Sequence, residues 1–356
     1  YKLQVPYIYT IASKCSIFFI YEYKMSNKDI INYIDNIYVI NMDKSKDRMV
    51  KMISQQSKIG MDITRVSAIV GKDLTTEEIK KQTTTFCRYF CTRTMIAIFL
   101  SHKASWQKML DNGDKYAIIM EDDCELHNNF GKEVSKTINE LRVIDPQWDF
   151  LYIGYMGACD PNQDYNLIAK VQKVFTNNIK SNVSNNKYSF VPESPFGFHC
   201  YAISRKCAQK MVRLMDKASY HVDVAFLNYS KYFSIYANTY PLAYQYSTPE
   251  NSSQTQNFPI ILNDYFNKIK CDKGVTYGYY FSAPVLAIYK YNVNTYLLIL
   301  LALMLATPTD YQKTVFIIVY GYLILELATD KQNYEYIVFW LLCVYIISTA
   351  KILIIY

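Results

Sequence analysis

Over the first two thirds of this 356-residue chain, short apolar runs alternate with stretches of helical period. "NIYVIN" (36–41) reads as a buried strand. "SKDRMVKMISQQSKIG" follows with a helical pattern, Ser45 as its N-cap and Gly60 as its stop. "ITRVSAI" predicts a second strand that ends before Gly71, and residues 72–91 are polar and irregular. From Met95 to Leu110, apolar residues recur at three and four (Met95, Phe99, Trp106, Met109, Leu110), which predicts an amphipathic helix. "YAIIM" (116–120) is the next strand, followed by a helical pattern from Lys132 to Leu141 and the strand "WDFLYIGY". Residues 158–190, rich in Asn, Ser and Lys, are expected to form a long surface loop or lid. "FHCYAIS" is a strand that runs through a Ser204 cap into the helix "RKCAQKMVRLM". Strands alternating with helices predict an α/β fold with a mainly parallel central sheet.

The pattern changes after about residue 280. "YLLILLALMLA" (296–306), "VFIIVYGYLIL" (315–325) and "IVFWLLCVYIISTAKILIIY" (337–356) are apolar blocks separated by short polar loops. A spanning helix needs about 20 apolar residues. The third block meets this, and the first two meet it with their polar flanks included. So little polar surface remains that membrane insertion is expected rather than a set of buried core helices. The charges associated with the blocks are Glu326 and Lys351, too few for a transport pathway. Lys268, Lys270, Lys273 and Lys290 lie on the near side of the first block, which puts residues 25–280 in the cytosol and leaves the sequons at Asn182, Asn228 and Asn251 unused. At the other end, "IYTIASKCSIFFIY" has Lys14 inside it and no small-residue cleavage site, while Met25 makes a natural start. The expected organisation is a leader or upstream extension at 1–34, a catalytic domain at 35–280 and membrane-spanning helices at 281–356.

Composition adds three constraints. With 51% hydrophobic residues, a sizeable core is available. The net charge of +7 is spread along the chain without a basic run, which argues against a nucleic-acid groove and fits a phosphate-bearing partner. The nine cysteines include no CxxC pair, so they are expected to be reduced thiols used as small core residues. Cys87, Cys91 and His102 lack a fourth ligand at useful spacing for zinc.

The chemistry concentrates in "YAIIMEDDCEL" (116–126), where Glu121, Asp122 and Asp123 arrive together behind a buried strand. In open α/β sheets, ligands bind beyond the carboxyl ends of the strands. A divalent cation removes the repulsion among such carboxylates, and a diphosphate completes its oxygen shell. A solvated acidic turn has the same composition, so the tripeptide alone does not decide between the two.

Its surroundings add weight. "VINMDKSKDRMVKM", "RVSAIVGKDL", "IFLSHKASWQKML", "YAIIMEDDCEL", "CYAISRKCAQKM", "HVDVAFLNY" and "YPLAYQYSTPENSSQ" occur in that order. The series, over roughly residues 35–256, resembles glycosyltransferase family 25, which includes lipopolysaccharide galactosyltransferases and collagen hydroxylysine galactosyltransferases. The resemblance implies a GT-A-like nucleotide-diphospho-sugar transferase fold, a UDP-sugar donor, a Mn2+ or Mg2+ cofactor and an inverting mechanism. It implies metal ligation by Glu121 and Asp123 and donor-pocket roles for Asn41, Arg48, Ser101, His102, Asp122 and Gln245. Asp223, in "HVD", matches a late family Asp and is the candidate general base, while its place ahead of "VAFLNY" also suits a helix N-cap. Two departures stand out. Ala97 and Ile98 occupy the place of the family's Gly-Cys pair, and His199 stands where a small residue is usual, either as a metal-side ligand or as a packed strand residue.

The function expected is transfer of a hexose, galactose or glucose, from a UDP-sugar to a hydroxyl of a glycan, lipid-linked or protein acceptor. The alternative is a catalytically inactive, membrane-anchored scaffold or sugar-binding protein.

Overall fold

The computed structural model describes residues 33–156, 186–192, 195–245, 258–272, 275–330 and 333–355. The expected leader up to residue 32, the 158–185 part of the expected lid and the sequons at Asn182 and Asn251 lie outside them. The chain divides into two compact units, one made of residues 1–69, 100–216 and 223–245, the other of 70–99, 217–222 and 246–356.

The first unit is built on β1 (Asn36–Asn41), α1 (Lys46–Ser54), β2 (Thr64–Ser67), α2 (Arg93–Asn112, its residues from Leu100 onward), β3 (Tyr116–Glu121), β4 (Cys124–Leu126), α3 (Phe130–Ile144), β5 (Phe150–Met156), β6 (Ser189–Phe190), β7 (Phe196–Ser204), α4 (Arg205–Leu214), α5 (Val222–Leu227), β8 (Ile235–Asn238) and β9 (Ala243–Gln245). Seven strands form one sheet in the order β2-β1-β3-β7-β5-β8-β6. Five of the seven strands, β1, β2, β3, β5 and β8, run in one direction, in keeping with the mainly parallel sheet expected, and β7 and β6 run against them. β1 is parallel to β2 and β3, but β7 runs antiparallel between β3 and β5, and β6 is antiparallel to β8. Alternation of strand and helix signals a parallel crossover only when the helix returns the chain to the same end of the sheet. β7 instead enters from the far end, beside β5. Its reversal matters for the site because it brings Gly197 and His199 back to the end of the sheet where β3 finishes.

β1, β3, β5 and β7 are buried almost throughout, as central strands covered on both faces should be. Ile37, Val39, Ile118, Met120, Leu151 and Ala202 pack with Val134, Ile138 and Leu141 of α3. Phe150, Phe198, Tyr201 and Phe226 make an aromatic cluster, with ring centroids 4.8–5.3 Å apart.

α1 begins after Ser45 as expected, although the Ser45 side chain makes no cap bond. The helical run breaks at Gln55, because the Gln55 amide serves β4: Nε2 donates to the Cys124 carbonyl (3.0 Å) and Oε1 accepts from Leu126 N–H (2.7 Å). Gly60 ends the segment at φ 83°, the left-handed stop read from the sequence.

The second unit contains helices at Thr76–Gln82 and Thr85–Phe90, then α6 (Ile260–Phe266), β10 (Lys270–Asp272), β11 (Val275–Thr276), α7 (Tyr277–Ser282), the hairpin β12 (Pro284–Ile288) and β13 (Tyr291–Asn294), and the apolar helices α8 (Thr295–Ala306), α9 (Thr309–Thr329) and α10 (Tyr334–Ile355). Of the three expected spanning blocks, α9 and α10 are long and apolar enough to cross a membrane, while α8, at 12 residues, is not. These helices have their own core: Phe258, Leu297, Leu323, Ile337, Trp340 and Val344 pack together. Cys87 and Cys91 form a disulfide, contrary to the expectation of reduced thiols. Cys91 leaves its helix in an extended conformation, which carries its sulfur back over the last turn to Cys87. Two sulfurs bonded to each other leave no thiolate for zinc. Cys124, Cys200, Cys207 and Cys343 are free.

Candidate functional site

The site assembles at the carboxyl end of β3. The parallel register sets Ile40 of β1 beside Glu121, so Asn41, one residue on, stands beside Asp122. Asn41 Nδ2 donates to Asp122 Oδ2 at 2.7 Å. The first turn of α1 brings in Arg48, whose Nη1 pairs with Asp122 Oδ1 at 3.0 Å and lies 4.0 Å from Asp123 Oδ2. On the other side, β9 pairs antiparallel with β4 and sets Gln245 opposite Cys124. Gln245 Nε2 lies 3.3 Å from Glu121 Oε2 and 3.2 Å from Asp123 Oδ2. His102 Nε2 lies 3.1 Å from Glu121 Oε1. Thus the structure brings Asn41, Arg48, His102, Glu121, Asp122, Asp123 and Gln245 together.

The three acids are not equivalent. Burial raises the Asp122 carboxyl above its ordinary value, although Asn41 and Arg48 both stabilise its charge. Asp123 is pushed up to about 7, first by burial and then by the charges of Glu121 and Asp122, with Arg48 and Gln245 pulling the other way. Asp122 therefore works as the anchor for Asn41 and Arg48. Glu121 and Asp123 converge on the Gln245 amide, the arrangement in which a cation would relieve the most repulsion. Mg2+ and similar hard cations bind through one or two carboxylates and complete their shell with phosphate oxygens and water. The pair fits that need, and among the described residues no group of three or more His, Cys, Asp or Glu forms a ready-made cage.

The remaining candidates are placed as follows. Ser101 is buried, and its hydroxyl accepts the Ile69 N–H at 2.8 Å, tying the chain after β2 to α2. Asp223 lies inside the first turn of α5 rather than ahead of it. Its carboxylate accepts the N–H of Gly197 (3.2 Å) and of Val224 (2.7 Å). Gly197 lies three residues before Cys200, the residue of antiparallel β7 paired with Met120, so Asp223 sits toward the same end of the sheet as the acidic cluster. His199 is the packed strand residue of the two readings offered for it: it is 2% exposed, and its Nε2 lies 3.2 Å from the Ala243 carbonyl.

Arg65 was not singled out from the sequence. Its Nε donates to Asn41 Oδ1 (2.8 Å) and its Nη2 to the Asn41 carbonyl (2.9 Å), and it pairs with Asp43. This fixes which way the Asn41 amide points and so directs its N–H toward Asp122. A charged residue in a half-exposed strand carries no local signal of that role.

A family model described as "Glycosyltransferase family 25 (LPS biosynthesis protein)" matches residues 34–226, more than half of the chain. The span includes the acidic cluster and Asp223 and ends before Gln245. Procollagen galactosyltransferase 2 of Homo sapiens is 27% identical over 128 residues, 34% of this chain and 20% of that protein. A glycosyltransferase 25 family member of Aedes aegypti is 26% identical over 129 residues, covering 34% and 21%. An inactive glycosyltransferase 25 family member 3 of Mus musculus is 21% identical over 128 residues, covering 34% and 22%. The chain thus spans about a fifth of the length of the relatives it matches. A solved structure of mouse xyloside xylosyltransferase 1 aligns with 59% of the chain and 77% of its own at 10% identity, with a TM-score of 0.28, too low to carry an argument.

Proposed function

Because the chain belongs to glycosyltransferase family 25, we propose that it transfers a hexose, galactose or glucose, from a UDP-sugar to a hydroxyl of a glycan, lipid-linked or protein acceptor. The observation that carries this reading is the convergence of Glu121 and Asp123 beside an Asp122 already held by Asn41 and Arg48. The GT-A-like fold is part of the proposal. So are a transferase domain at 35–280 and a membrane segment at 281–356 that holds that domain on the cytosolic side. The presence of α9 and α10 supports the membrane part.

The reaction is a single inverting displacement. Asp223 takes the proton of the acceptor hydroxyl, its carboxylate oriented by the Gly197 and Val224 amides. The hydroxyl oxygen bonds to the anomeric carbon from the face opposite UDP as the bond from that carbon to the diphosphate oxygen breaks. Glu121 and Asp123 would hold a Mn2+ or Mg2+ ion, which supplies positive charge to the departing diphosphate. Gln245 and Arg48 keep those carboxylates in place, Asn41 holds Asp122 beside them, and these residues line the donor side together with His102 and Ser101. Positioning and electrostatics supply most of the acceleration.

A second reading has its own support. Ala97 and Ile98 replace the family's Gly-Cys pair, and one matched relative is named inactive, which fits a transferase-like scaffold without turnover. UDP release by the full chain, measured with Mn2+ across a panel of UDP-sugars, separates the two. Turnover that disappears in Asp123→Ala supports the enzyme. No turnover with any donor, despite a folded chain, supports the scaffold.

A further inference from the structure

Behind Glu121 lies a buried hydrogen-bonded line of which the proposed chemistry uses His102 but neither Tyr201 nor Trp106. Trp106 follows His102 by one helical turn on α2, so both rings lie on one face of the helix. Tyr201, on β7 opposite Ile119, meets both. Trp106 Nε1 donates to the Tyr201 hydroxyl oxygen at 2.8 Å. That oxygen lies 2.9 Å from His102 Nδ1, and His102 Nε2 lies 3.1 Å from Glu121 Oε1. Trp106 and Tyr201 are fully buried and His102 is 1% exposed.

The positions of the protons follow from what each group can do. An indole N–H only donates, so the Tyr201 oxygen accepts from Trp106 and its own hydrogen is left for His102 Nδ1. An ionised carboxylate only accepts, so His102 Nε2 carries the hydrogen that faces Glu121. The carboxylate end places a hydrogen on Nε2 of His102, and the Tyr201 end leaves Nδ1 as an acceptor, which together describe the Nε2–H tautomer. With a proton on Nδ1, a hydroxyl hydrogen and a ring N–H would face each other in a buried place, where an unmade bond is costly. The edge-on ring of Phe198, 5.7 Å from His102, adds a wall against rotation of the imidazole.

We propose that Trp106 and Tyr201 are positioning residues that lock His102 as its Nε2–H tautomer and thereby hold Glu121 in the orientation that aims its second oxygen at Gln245 and Asp123. The consequence for catalysis rests on the transferase reading, but the tautomer does not. In a transferase, Trp106 and Tyr201 set how well Glu121 takes part in binding a cation without touching it themselves. Residues that orient a ligand in this way typically change metal affinity or activity by about 10–100-fold when altered.

The test uses the full chain in detergent micelles with nitrogen-labelled histidine. The chain has four histidines, and the spectrum of His102→Gln identifies the His102 signals by difference. In the wild type, Nδ1 of His102 is expected to be bare and Nε2 protonated. Tyr201→Phe removes the hydrogen offered to Nδ1, and the tautomer is expected to become mixed. Trp106→Phe leaves Tyr201 free to turn its hydroxyl and is expected to show the same mixing to a smaller extent. In UDP-release assays, Tyr201→Phe should raise the Mn2+ concentration for half-maximal rate by about 10-fold or more, with a smaller change in the saturated rate. A His102 protonated on Nδ1 in the wild type overturns the proposal. So does a Tyr201→Phe chain that keeps both the wild-type tautomer and the wild-type Mn2+ dependence. If the wild type has no turnover at all, the transferase reading fails and the spectra still decide the tautomer.

Discussion

Replacing Asp123 by Asn should abolish transfer and stabilise the chain, and the size of the second effect follows from the site. The Asp123 carboxyl is held at about 7 against an ordinary value of 3.8, a difference of about three units. At 1.36 kcal/mol per unit, this corresponds to about 4 kcal/mol. Part of it is mutual repulsion. The Glu121 and Asp123 oxygens that share Gln245 Nε2 are 3.3 and 3.2 Å from it, so they lie within about 6.5 Å of each other. Burial is the largest cause, and repulsion from Glu121 and Asp122 adds to it against the pull of Arg48 and Gln245. The folded value lies above the unfolded one, so the native state keeps its proton to higher pH. The stabilisation is complete below about pH 4 and is lost as pH rises through about 7. Thermal unfolding in cation-free detergent buffer should therefore show the wild-type transition falling from pH 5.5 to 8.5. Asp123→Asn, which has no proton to lose, should stay nearly level and melt about 5–10 °C above the wild type at pH 8.5. Added Mn2+ should close that gap by raising the wild type alone. Parallel curves, or a variant that melts lower at pH 8.5, would refute the electrostatic reading of the cluster.

Three further outcomes test other parts of the molecule. A Cβ on Gly154 would stand 2.7 Å from the Ala243 carbonyl oxygen and press on the His199 ring, so Gly154→Ala should lose about 1–3 kcal/mol, read as a lower thermal transition. Glu326 accepts the N–H groups of Ile260 and Ile261, each at 3.0 Å, and Glu326→Ala should speed hydrogen exchange over Ile260–Phe266 by about 10-fold or more while the exchange of β1 and β3 stays as it is. Ile317 and Ile318 on α9 are 68% and 64% exposed, and the double change Ile317→Lys with Ile318→Lys should leave a folded chain that no longer floats with lipid vesicles.

What the sequence displays well are groups whose neighbours are close along the chain or fixed by a strand end. β1 and β3 are apolar runs with polar exits, so Asn41 and the acidic triplet could be placed at one end of a sheet before their contact was known. Arg48 lies in the first turn of an amphipathic helix that starts beside that exit. Gln245 is different: it reaches Glu121 and Asp123 through the β4–β9 pairing of segments more than a hundred residues apart, and three residues of β-strand give no period to read. Tyr201 looks like one more aromatic in a buried strand, and Arg65 like one more exposed charge. The antiparallel insertion of β7 was illegible for a related reason. Alternation of elements encodes which segments are strands, while the direction in which a strand enters the sheet depends on the connection before it. Near the C-terminus, composition identified three apolar blocks, but helix length separates α8 from the other two.

The two charges associated with the apolar blocks show why that part of the chain is more than a hydrophobic tail. Glu326 is fully buried, and it accepts the first two amides of α6 and the Tyr322 hydroxyl. Lys351 donates to the carbonyls of Met304, Leu305 and Thr307 at the end of α8. Each charge sits at the helix terminus of matching polarity, an acid at an N-terminus and a base at a C-terminus. Backbone groups at helix ends lose their water when apolar helices pack, and in hydrocarbon they find no replacement. A charge that would be prohibitive alone becomes the partner those groups require. Both residues therefore hold the bundle together from within, while the exposed faces of α8, α9 and α10, with Leu303, Ile317 and Ile346 each more than half exposed, carry side chains that favour lipid over water. A soluble helical bundle would place its charges on those outer faces. Here Glu326 and Lys351 point inward to helix ends and the apolar side chains point outward, a distribution that supports the proposed membrane segment.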